Sequence, residues 1–582
     1  MASALLNGMS RRRFVKYAAI GGLAAWGAAS ALVYPSGWNK WLTYGQKPWE
    51  RAAGVVDYDL VAEYEGPMDQ YGVPSIYRQG GSERRTLNVA QWYDYWPGKT
   101  ITDFTLYMRD RFQLDGVQVR WTANIYTSNE ELFTWVTQTG RKFDVMVPTN
   151  YTVETMEKAG LVVNLNRDWL PNYACIFGPV PTPGELDLIN PWISDASEPT
   201  YPTFSNGYNT EAGTGFDFRT PSENPYEYRM NRAAYPNPRG SEYFTWDEQN
   251  SLIAVPYQWG TTGIGFRTDV FRRADIEDMG WEVFELTSYR NPDTGRTYDL
   301  TNRKMMLDDM REVFTAGHKT IGWRQQVARG IPPTAITYNS AAPYNGEFQW
   351  SSNEIEDAKL VEASDWLLGW QESSWGFNTP QQGPWLISGE RFVDQAWSGD
   401  IMYAVRPNSS QFIPVDYFVP KQGGARWIDN LVIHRECEKL WLAHQFMNYI
   451  HDPVVQTDIS TWNLYATPNA WSFQILHKNP VYSYEGRYPN NYPDPAKAGQ
   501  PYYWNPAEDY RIYSDFAASH LILDPGPDGQ PGTGDDVVRS SDIAEQYTDL
   551  GRPPILERSE YQHDVGVKNT LRYFKYWRTV KF

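Results

Sequence analysis

The sequence predicts an α/β fold in which a largely parallel sheet is built twice along the chain. Strand and helix patterns alternate from Thr86 to about residue 160, and a second alternation follows residue 251. Between them, "SLIAVPYQWGTTGIGF" (251–266) is a strand pattern whose three glycines suit a crossing between two lobes. Alternating strands and helices form βαβ units, and ligands of such sheets lie beyond the carboxyl ends of the strands.

The first set of elements follows from the spacing of apolar residues and from helix-start and helix-stop signals. The predicted strands are 86–92, 117–125 and 142–148, and they alternate with helices at 100–113, 129–140 and 151–160. Two groups of polar and aromatic side chains, Trp92 to Tyr95 and Thr149 to Tyr151, fall at strand ends. That position makes both groups candidates for a ligand site.

The second set includes "MMLDDMREVF" (305–314), where an apolar strand gives way to a helix. Asp309 is a predicted N-cap, and Glu312 three residues later completes a capping box. Long helices are predicted at 353–372 and 436–460.

The remaining segments are a C-terminal helix and two stretches of different composition. The helix begins at about Asp564. The stretches 180–250 and 478–555 are rich in Pro and Tyr and have little periodicity, so we predict two long insertions.

Composition restricts the partners of this chain. Its 582 residues carry a net charge of −18 and an aromatic content of 15%, with 26 Trp and 40 Tyr. An acidic chain is a poor partner for nucleic acid and a better one for cations. Cys175 and Cys437 lack metal-site spacing, and whether they pair stays open. No HExxH motif or histidine cluster indicates a zinc or haem site.

The N-terminal segment indicates export. Ser10 to Lys16, "SRRRFVK", matches a twin-arginine pattern, and an Ala/Gly-rich stretch leads to Ala29-Ser30-Ala31, which suits a signal peptidase. We therefore predict a twin-arginine signal peptide at 1–34, followed by a linker at 35–85, and a periplasmic location. Whether the signal is cleaved or stays as an anchor is left open.

Two classes of function fit the acidic and aromatic residues. GxSxG and GxxxxGK[ST] are absent from the sequence, so it gives no support to a serine hydrolase or a P-loop nucleotide site. Paired carboxylates could serve an exported glycoside-active enzyme. The same residues could bind a protonated linear polyamine, which needs carboxylates at intervals and aromatic faces over its ammonium groups.

Several motifs resemble one known family in the order in which that family has them. They are "NVAQWYDYWPG", "FDVMVPTNYTVETMEKAGLVVNLN", "AVPYQWGTTGIGF", "LDDMREVF", "AWSGD", "VPKQGGARWIDNLVI", "LYATPN" and "YQHDVG". Together they resemble the bacterial periplasmic spermidine/putrescine-binding proteins of ABC transporters. The likeness covers most of 86–170, 251–330 and 385–470, and the C-terminal tail.

The resemblance implies a two-lobed periplasmic-binding-protein-like fold of type II, here with two long insertions. The implied segments are lobe 1 at 86–258 and 428–473, with its insertion at about 180–250, and lobe 2 at 259–427 and 474–582, with its insertion at about 478–555.

The resemblance also implies a function without catalysis: capture of a polyamine between the lobes and delivery to an inner-membrane ABC permease, by a monomer without a cofactor. The implied ligand-binding residues are Trp92, Tyr93, Tyr95, Thr149, Tyr151, Asp309, Glu312, Trp397, Trp427, Asp429, Tyr465 and Gln562. Spermidine is favoured over putrescine because the Asp309/Glu312 and Asp429 sets could each hold one amine. A receptor of the same fold for another cationic or amino compound, or the exported enzyme above, is the alternative.

Two features depart from the family pattern or lie outside it. Asp400 follows the Trp-Ser-Gly turn and either adds a carboxylate to the site or faces water. The loop "LDPGPDGQPGTGDD" (523–536) either holds calcium through oxygen ligands or is a solvated turn. The candidate calcium ligands are Asp524, Asp528, Asp535 and Asp536.

Overall fold

The computed structural model describes most of both predicted lobes. The described residues are 47–52, 54–173, 252–330, 350–405, 414–463, 465, 467–469 and 559–581, with four short strands between residues 486 and 540. The predicted signal peptide, the first insertion, most of the second insertion and Cys175 lie outside the described residues.

The described strands belong to one large sheet and four separate two-stranded ribbons. In chain order they are β1 (Glu50–Ala52), β2 (Val55–Val56), β3 (Thr86–Trp92), β4 (Gln118–Arg120), β5 (Ile125–Tyr126), β6 (Val145–Met146), β7 (Val255–Arg267), β8 (Ser288–Arg290), β9 (Thr297–Asp299), β10 (Lys304–Met306), β11 (Gly376–Phe377), β12 (Val393–Trp397), β13 (Val415–Phe418), β14 (Gly424–Ile433), β15 (Gly486–Arg487), β16 (Pro501–Tyr502), β17 (Leu521–Asp524), β18 (Val537–Ser540) and β19 (Ser559–Tyr561).

The described α-helices cover the faces of the large sheet. In chain order they are α1 (Tyr58–Glu65), α2 (Ser75–Gln79), α3 (Gly98–Phe112), α4 (Asn129–Thr137), α5 (Asn150–Lys158), α6 (Arg273–Met279), α7 (Met310–Ala328), α8 (Asp357–Gln371), α9 (Gln382–Ser388), α10 (Ser398–Val405), α11 (Leu440–Ile450), α12 (Pro453–Asn463) and α13 (Val567–Lys581).

Lobe 1 is built on β3, whose predicted bounds are confirmed. β3 runs parallel to β4, β5 and β6, and the end of β14 joins β6 in antiparallel orientation. The predicted strand at 117–125 is two short strands, β4 and β5, separated by a turn. Val89, Phe104, Val145 and Phe446 are buried in the apolar core of this lobe. Such burial on both faces is typical of a parallel sheet covered by helices.

Lobe 2 repeats the arrangement with different strands. β10 lies between β11 and β12 and is parallel to both, and β7 and β13 add antiparallel partners. Phe266, Trp281, Phe314 and Leu367 are buried in a second apolar core. The predicted α/β architecture with two lobes is therefore confirmed.

β7 and β14 pass from one lobe to the other. They pair with each other in antiparallel orientation from Val255 opposite Leu431 to Thr261 opposite Arg426. Beyond this shared region β7 pairs with β12 in lobe 2, and β14 pairs with β6 in lobe 1. The glycine-containing strand predicted to cross between the lobes is confirmed as β7.

The described part of the predicted linker, residues 47–85, is folded. It contains β1, β2, α1 and α2, and Trp49, Val61 and Tyr77 are buried in the lobe 1 core. Arg435 on lobe 1 donates two hydrogen bonds to the carboxylate of Glu50. The linker prediction was wrong here because the elements are short and give little apolar periodicity.

The C-terminal segment attaches to both lobes. β19 pairs in parallel with β14, and α13 packs Tyr573 and Trp577 into the lobe 2 core. Between these elements, Lys158 of α5 forms a 2.7 Å ion pair with Asp564. The helix predicted from about Asp564 is confirmed, starting at Val567.

None of the described helices has the length and apolar character that a membrane crossing needs. The predicted helix at 436–460 is divided into α11 and α12 at His451 and Asp452. Pro453 opens α12, a position where proline is favoured because its missing N–H has no helical partner.

Candidate functional site

A cavity of about 310 Å³ lies between the two lobes. Eleven of the twelve residues predicted to bind ligand line it: Trp92, Tyr93, Tyr95, Thr149, Tyr151, Asp309, Glu312, Trp397, Trp427, Asp429 and Tyr465. The volume is at the lower end of the range typical of small-molecule sites. The residues come from six separate stretches of chain, which the fold brings together mainly at strand ends and on β14.

The end of β3 supplies one aromatic wall. Trp92 is buried, and its indole Nε1 donates a 2.9 Å hydrogen bond to the Val147 carbonyl, which fixes the ring. Tyr93 points outward with 66% of its surface exposed, so it lies at the cavity mouth. Tyr95 turns back inward, and its hydroxyl donates to Oδ2 of Asp429.

The start of α5 supplies hydroxyl groups to the same wall. Thr149 is the N-cap residue of α5, and its Oγ1 donates a 2.6 Å hydrogen bond to Oδ1 of Asp429. Asn129 Nδ2 donates to Thr149 Oγ1 at 2.9 Å and to the Tyr151 hydroxyl at 3.1 Å. Both oxygens of Asp429 therefore accept a hydroxyl donor from lobe 1.

Asp429 is a buried acid on the crossing strand β14, with 3% of its surface exposed. Burial raises the pKa of its carboxyl to about 7, although the Thr149 and Tyr95 hydroxyls act in the opposite direction. An acid with such a pKa is poised between its neutral and ionised forms at neutral pH.

Lobe 2 contributes two acids from the N-terminus of α7. Asp309 is the N-cap, as predicted, and its Oδ1 accepts from the backbone N–H groups of Arg311 at 3.0 Å and Glu312 at 3.1 Å. Glu312 is 4% exposed, and its Oε2 has no hydrogen-bond partner in the described part of the chain. Burial and the neighbouring Asp309 raise the pKa of Glu312.

A third acid, Asp400, lies on lobe 2 at the start of α10. Its Oδ2 accepts a 2.7 Å hydrogen bond from the Tyr465 hydroxyl and a 3.0 Å bond from Gln382 Nε2. Burial raises the pKa of Asp400 to about 6, and the Tyr465 hydroxyl opposes that rise. Of the two alternatives left by the sequence, the structure places Asp400 in the cavity wall.

Aromatic rings from both lobes and the crossing strand form a continuous series along the cavity. The ring centroids of Trp92 and Trp397 are 5.8 Å apart across the cleft, and those of Trp397 and Trp427 are 6.3 Å apart. Tyr465 continues the series, 5.2 Å from Trp427 and 5.7 Å from Tyr95. All these pairs are edge-to-face, so the rings fix one another while leaving faces for a ligand.

Two glycines make room for these rings. A Cβ at Gly399 would lie 2.5 Å from the ring of Tyr465, and one at Gly260 would lie 2.8 Å from the ring of Trp427. No ordinary side chain fits at such distances without displacing the ring. Glycine is therefore required at both positions for the aromatic series to form.

Gln562 does not line the cavity. Its side chain is buried, and its backbone carbonyl accepts a 2.6 Å hydrogen bond from Asn150 Nδ2. Of the candidate calcium ligands, Asp524 ends strand β17, and Asp528, Asp535 and Asp536 lie outside the described residues. Within the described residues, no group of three His, Cys, Asp or Glu side chains could hold a metal ion.

Sequence reasoning missed several polar residues of the cavity. They include Tyr126, Asn129, Gln382 and Asn463. Asn129 could have been suspected because it starts a helix directly after a strand. The sequence around Gln382 and Asn463 contains no motif that predicts a ligand site. Gln382 begins α9 and Asn463 ends α12.

The charge of the lining restricts what the cavity can hold. None of the described lining residues is Lys, Arg or His. Five carboxylic acids line the cavity: Asp94, Asp309, Glu312, Asp400 and Asp429. Burying several carboxylates without a cation is strongly unfavourable. The arrangement is therefore suited to an elongated ligand with more than one positive charge, whose methylene groups would lie against the rings.

Comparison with known proteins gives an independent result. The family model for bacterial extracellular solute-binding proteins matches residues 116–480, more than half of the chain. The chain is 20% identical over 396 residues to a spermidine/putrescine-binding periplasmic protein of Salmonella typhimurium, covering 68% of this chain and 81% of that one. It is 23% identical over 391 residues to the putrescine-binding periplasmic protein PotF of Escherichia coli, covering 67% and 79%.

A solved structure of a Listeria monocytogenes protein assigned to a spermidine/putrescine ABC transporter has the same fold. It aligns with a TM-score of 0.50 at 18% identity, over 86% of this chain and 99% of that one. The match of the family model over residues 116–480, more than half of the chain, establishes the family: this chain is one of the bacterial extracellular solute-binding proteins.

Proposed function

We propose that this protein captures a linear polyamine of the spermidine and putrescine class in the cavity between its lobes and delivers it to an ABC transporter permease. One observation carries the proposal: five carboxylic acids and a series of aromatic rings line a cavity whose described lining contains no basic side chain. Charge-assisted hydrogen bonds and cation–π contacts, the latter worth about 0.5–2 kcal/mol each, would hold the ammonium groups.

Two acid groups at different places along the cavity support spermidine over putrescine. Asp309 and Glu312 project from lobe 2, while Asp429 projects from the crossing strand β14. Each group could accept one ammonium, and Asp400 adds a third acceptor. A triamine can use more of these acceptors than a diamine.

Hinge closure is the proposed mechanism, without any bond cleavage. The lobes meet at Trp92 and Trp397, and β7 and β14 connect them. A ligand that contacts the acids of lobe 2 and the rings of lobe 1 at once favours the closed arrangement over the open one. The names of the relatives support a periplasmic location. The name of the Listeria monocytogenes structure supports an ABC transporter as partner. The twin-arginine motif supports export by that route, and we propose that the exported protein acts as a monomer.

The test is calorimetric titration with putrescine, spermidine and spermine, with 1,4-butanediol and a neutral sugar as uncharged controls. We expect saturable binding of the amines, quenching or enhancement of tryptophan fluorescence, and a raised melting temperature by mass action. Binding of the sugar but not of the amines, with turnover of a glycoside, would favour the enzyme alternative.

A further inference from the structure

The cavity acids lack the counter-charges that buried carboxylates normally have. Asp309, Glu312 and Asp429 are each no more than 5% exposed. None of them forms an ion pair within the described part of the chain. The cost of burying an unpaired carboxylate usually forces the group to take up a proton instead.

Arg311 is the basic residue next to Asp309 and Glu312, but its hydrogen bonds point away from them. Its Nη1 donates to the His563 carbonyl, and its Nη2 donates to the Ser352 carbonyl and to Asn353 Oδ1. The guanidinium also lies over the ring of Tyr151, 5.5 Å from its centroid. Arg311 therefore reduces the local negative charge without donating a hydrogen bond to either acid.

The other groups around Glu312 and Asp309 do not supply a cation. From lobe 1, Glu130 on α4 faces this pair, and burial and Asp309 raise the pKa of Glu130 as well. From lobe 2, Thr262 and Trp397 lie near Glu312 and lower its pKa. The charge of Glu312 also acts on Tyr417 of β13. Asp308 faces outward and pairs with Lys581.

The groups around the other two acids are hydroxyls, an amide and a further acid. Asp429 is surrounded by Thr149 and by the tyrosines Tyr95, Tyr126, Tyr257 and Tyr465. Asp400 is bonded to Tyr465 and Gln382, and Asp94 acts on it as a second negative charge. Neither environment compensates an ionised carboxylate fully.

We propose that the ligand-free cavity keeps part of its carboxylic acids neutral and that the ammonium groups of the ligand displace those protons, so that capture of the ligand releases protons to the solvent. This inference rests on the proposed function. In each exchange the O–H bond of a carboxylic acid breaks, its proton goes to water or buffer, and the carboxylate accepts a hydrogen bond from an N–H of the already charged ligand.

The sign of the pH dependence follows from this exchange. Binding needs ionised acids, so affinity increases as the pH rises through the pKa values of the empty cavity, of which those of Asp400 and Asp429 are about 6 and about 7. It stops increasing once these groups are ionised, and it falls again when the ligand amines lose their own protons. Aliphatic amines do so at about pH 10, by the reference value for lysine.

Calorimetry in buffers of different ionisation enthalpy counts the protons directly. Spermidine is titrated into the full-length protein at pH 7.0 in phosphate, HEPES and Tris. We expect the observed enthalpy to vary linearly with buffer ionisation enthalpy, with a slope of about one released proton per ligand. Saturable binding with the same enthalpy in all three buffers would overturn the inference and leave the proposed function standing.

Two variants locate the source of the protons. Asp429→Asn should release fewer protons than the unmodified protein, because the amide has none to lose. Glu372→Gln changes an exposed glutamate outside the cavity and should leave the proton count unchanged. An unchanged count in Asp429→Asn that still binds would remove Asp429 from the exchange. Absence of binding heat in every buffer, for the unmodified protein, would instead contradict the proposed function itself.

Affinity measured against pH gives a second readout. Between pH 7.5 and 5.5 we expect the dissociation constant of spermidine to rise on the order of 100-fold, which corresponds to about one proton per ligand. A dissociation constant that is constant across this range would also overturn the inference.

Discussion

Two buried glutamates near the same helix have opposite electrostatic environments. Glu560 and Glu312 are equally buried, each with 4% of its surface exposed. Glu560 forms a 2.5 Å ion pair with Lys319 of α7. It also accepts hydrogen bonds from the Ser351 hydroxyl and from the backbone N–H of Ser352. Glu312, on the first turn of α7, has an Oε2 without a hydrogen-bond partner among the described residues.

The difference appears in their pKa values. Burial acts to raise the pKa of Glu560, but the Lys319 charge and the hydrogen bonds outweigh it and lower that pKa. For Glu312, burial and Asp309 together raise the pKa. Burial alone therefore does not identify a functional acid. The acid whose partner is absent from the protein is the one that can receive a partner from solution.

Removal of the internal partner should have the largest effect. Lys319→Met leaves Glu560 buried without its cation, and we expect the free energy of unfolding to fall by about 3–5 kcal/mol. Urea unfolding followed by tryptophan fluorescence measures this change. The control is Lys421→Met, which breaks a mostly exposed pair with Asp278 and should cost less than about 1 kcal/mol. Equal losses in both variants would show that Glu560 does not depend on its partner.

Neutralising a cavity acid is expected to weaken ligand binding without lowering the stability of the ligand-free protein. Glu312→Gln should weaken spermidine binding by about 1.5–3 kcal/mol, as for other hydrogen bonds to charged groups. The ligand-free variant should be as stable as the unmodified protein or more so, because a neutral amide replaces an unpaired buried acid. Calorimetric titration and urea unfolding of the same sample separate the two effects. Unchanged affinity would remove Glu312 from the ligand site.

Space in the cavity can be tested apart from charge. Gly399→Ala places a Cβ 2.5 Å from the Tyr465 ring, and we expect about tenfold weaker binding, or about 1.4 kcal/mol. Gly369→Ala is the matched control, since nothing lies within 4 Å of its Cβ on α8. It should leave binding unchanged and stabilise the helix by about 0.5–1 kcal/mol. Normal affinity in Gly399→Ala would show that the aromatic series tolerates displacement.

The smallest expected effect is on ligand-free stability between pH 6.5 and 8.5. The pKa of Asp429 is raised to about 7 in the folded state, so its contribution to stability is present at low pH and is lost as the pH rises through that value. We expect a loss of about 1 kcal/mol over this interval, and a smaller loss in Asp429→Asn. The buried histidines His318, His434 and His444, whose pKa values are lowered, affect stability mainly below this range.

Identical pH profiles for Asp429→Asn and the unmodified protein would show that Asp429 is ionised in the empty cavity. Melting temperatures measured at half-unit pH steps without ligand are sufficient for this comparison.

Features that depend on neighbouring residues in the sequence were predicted correctly, whereas features that depend on tertiary contacts were not. The apolar run of β3 and the cap at Asp309 are local features, and both were predicted at their observed positions. The folded segment 47–85 was missed because its elements are short and its burial depends on contacts with distant residues such as Arg435. The cavity roles of Gln382 and Asn463 likewise depend on tertiary contacts with Asp400 and Tyr95.

Gln562 illustrates the opposite error. Motif likeness put it in the ligand site, whereas it is not among the residues that line the cavity, and its backbone carbonyl accepts a hydrogen bond from Asn150. A motif gives the position of a residue along the chain, but the direction of its side chain depends on the packing around it.

The most direct test of the account is a crystal structure of the protein grown with spermidine. We expect one ammonium group within hydrogen-bond distance of Glu312 and another within that distance of Asp429, with the methylene chain against Trp92, Trp397 and Trp427. A structure with the amine bound elsewhere, or with those acids paired to protein groups while spermidine is bound, would contradict the account.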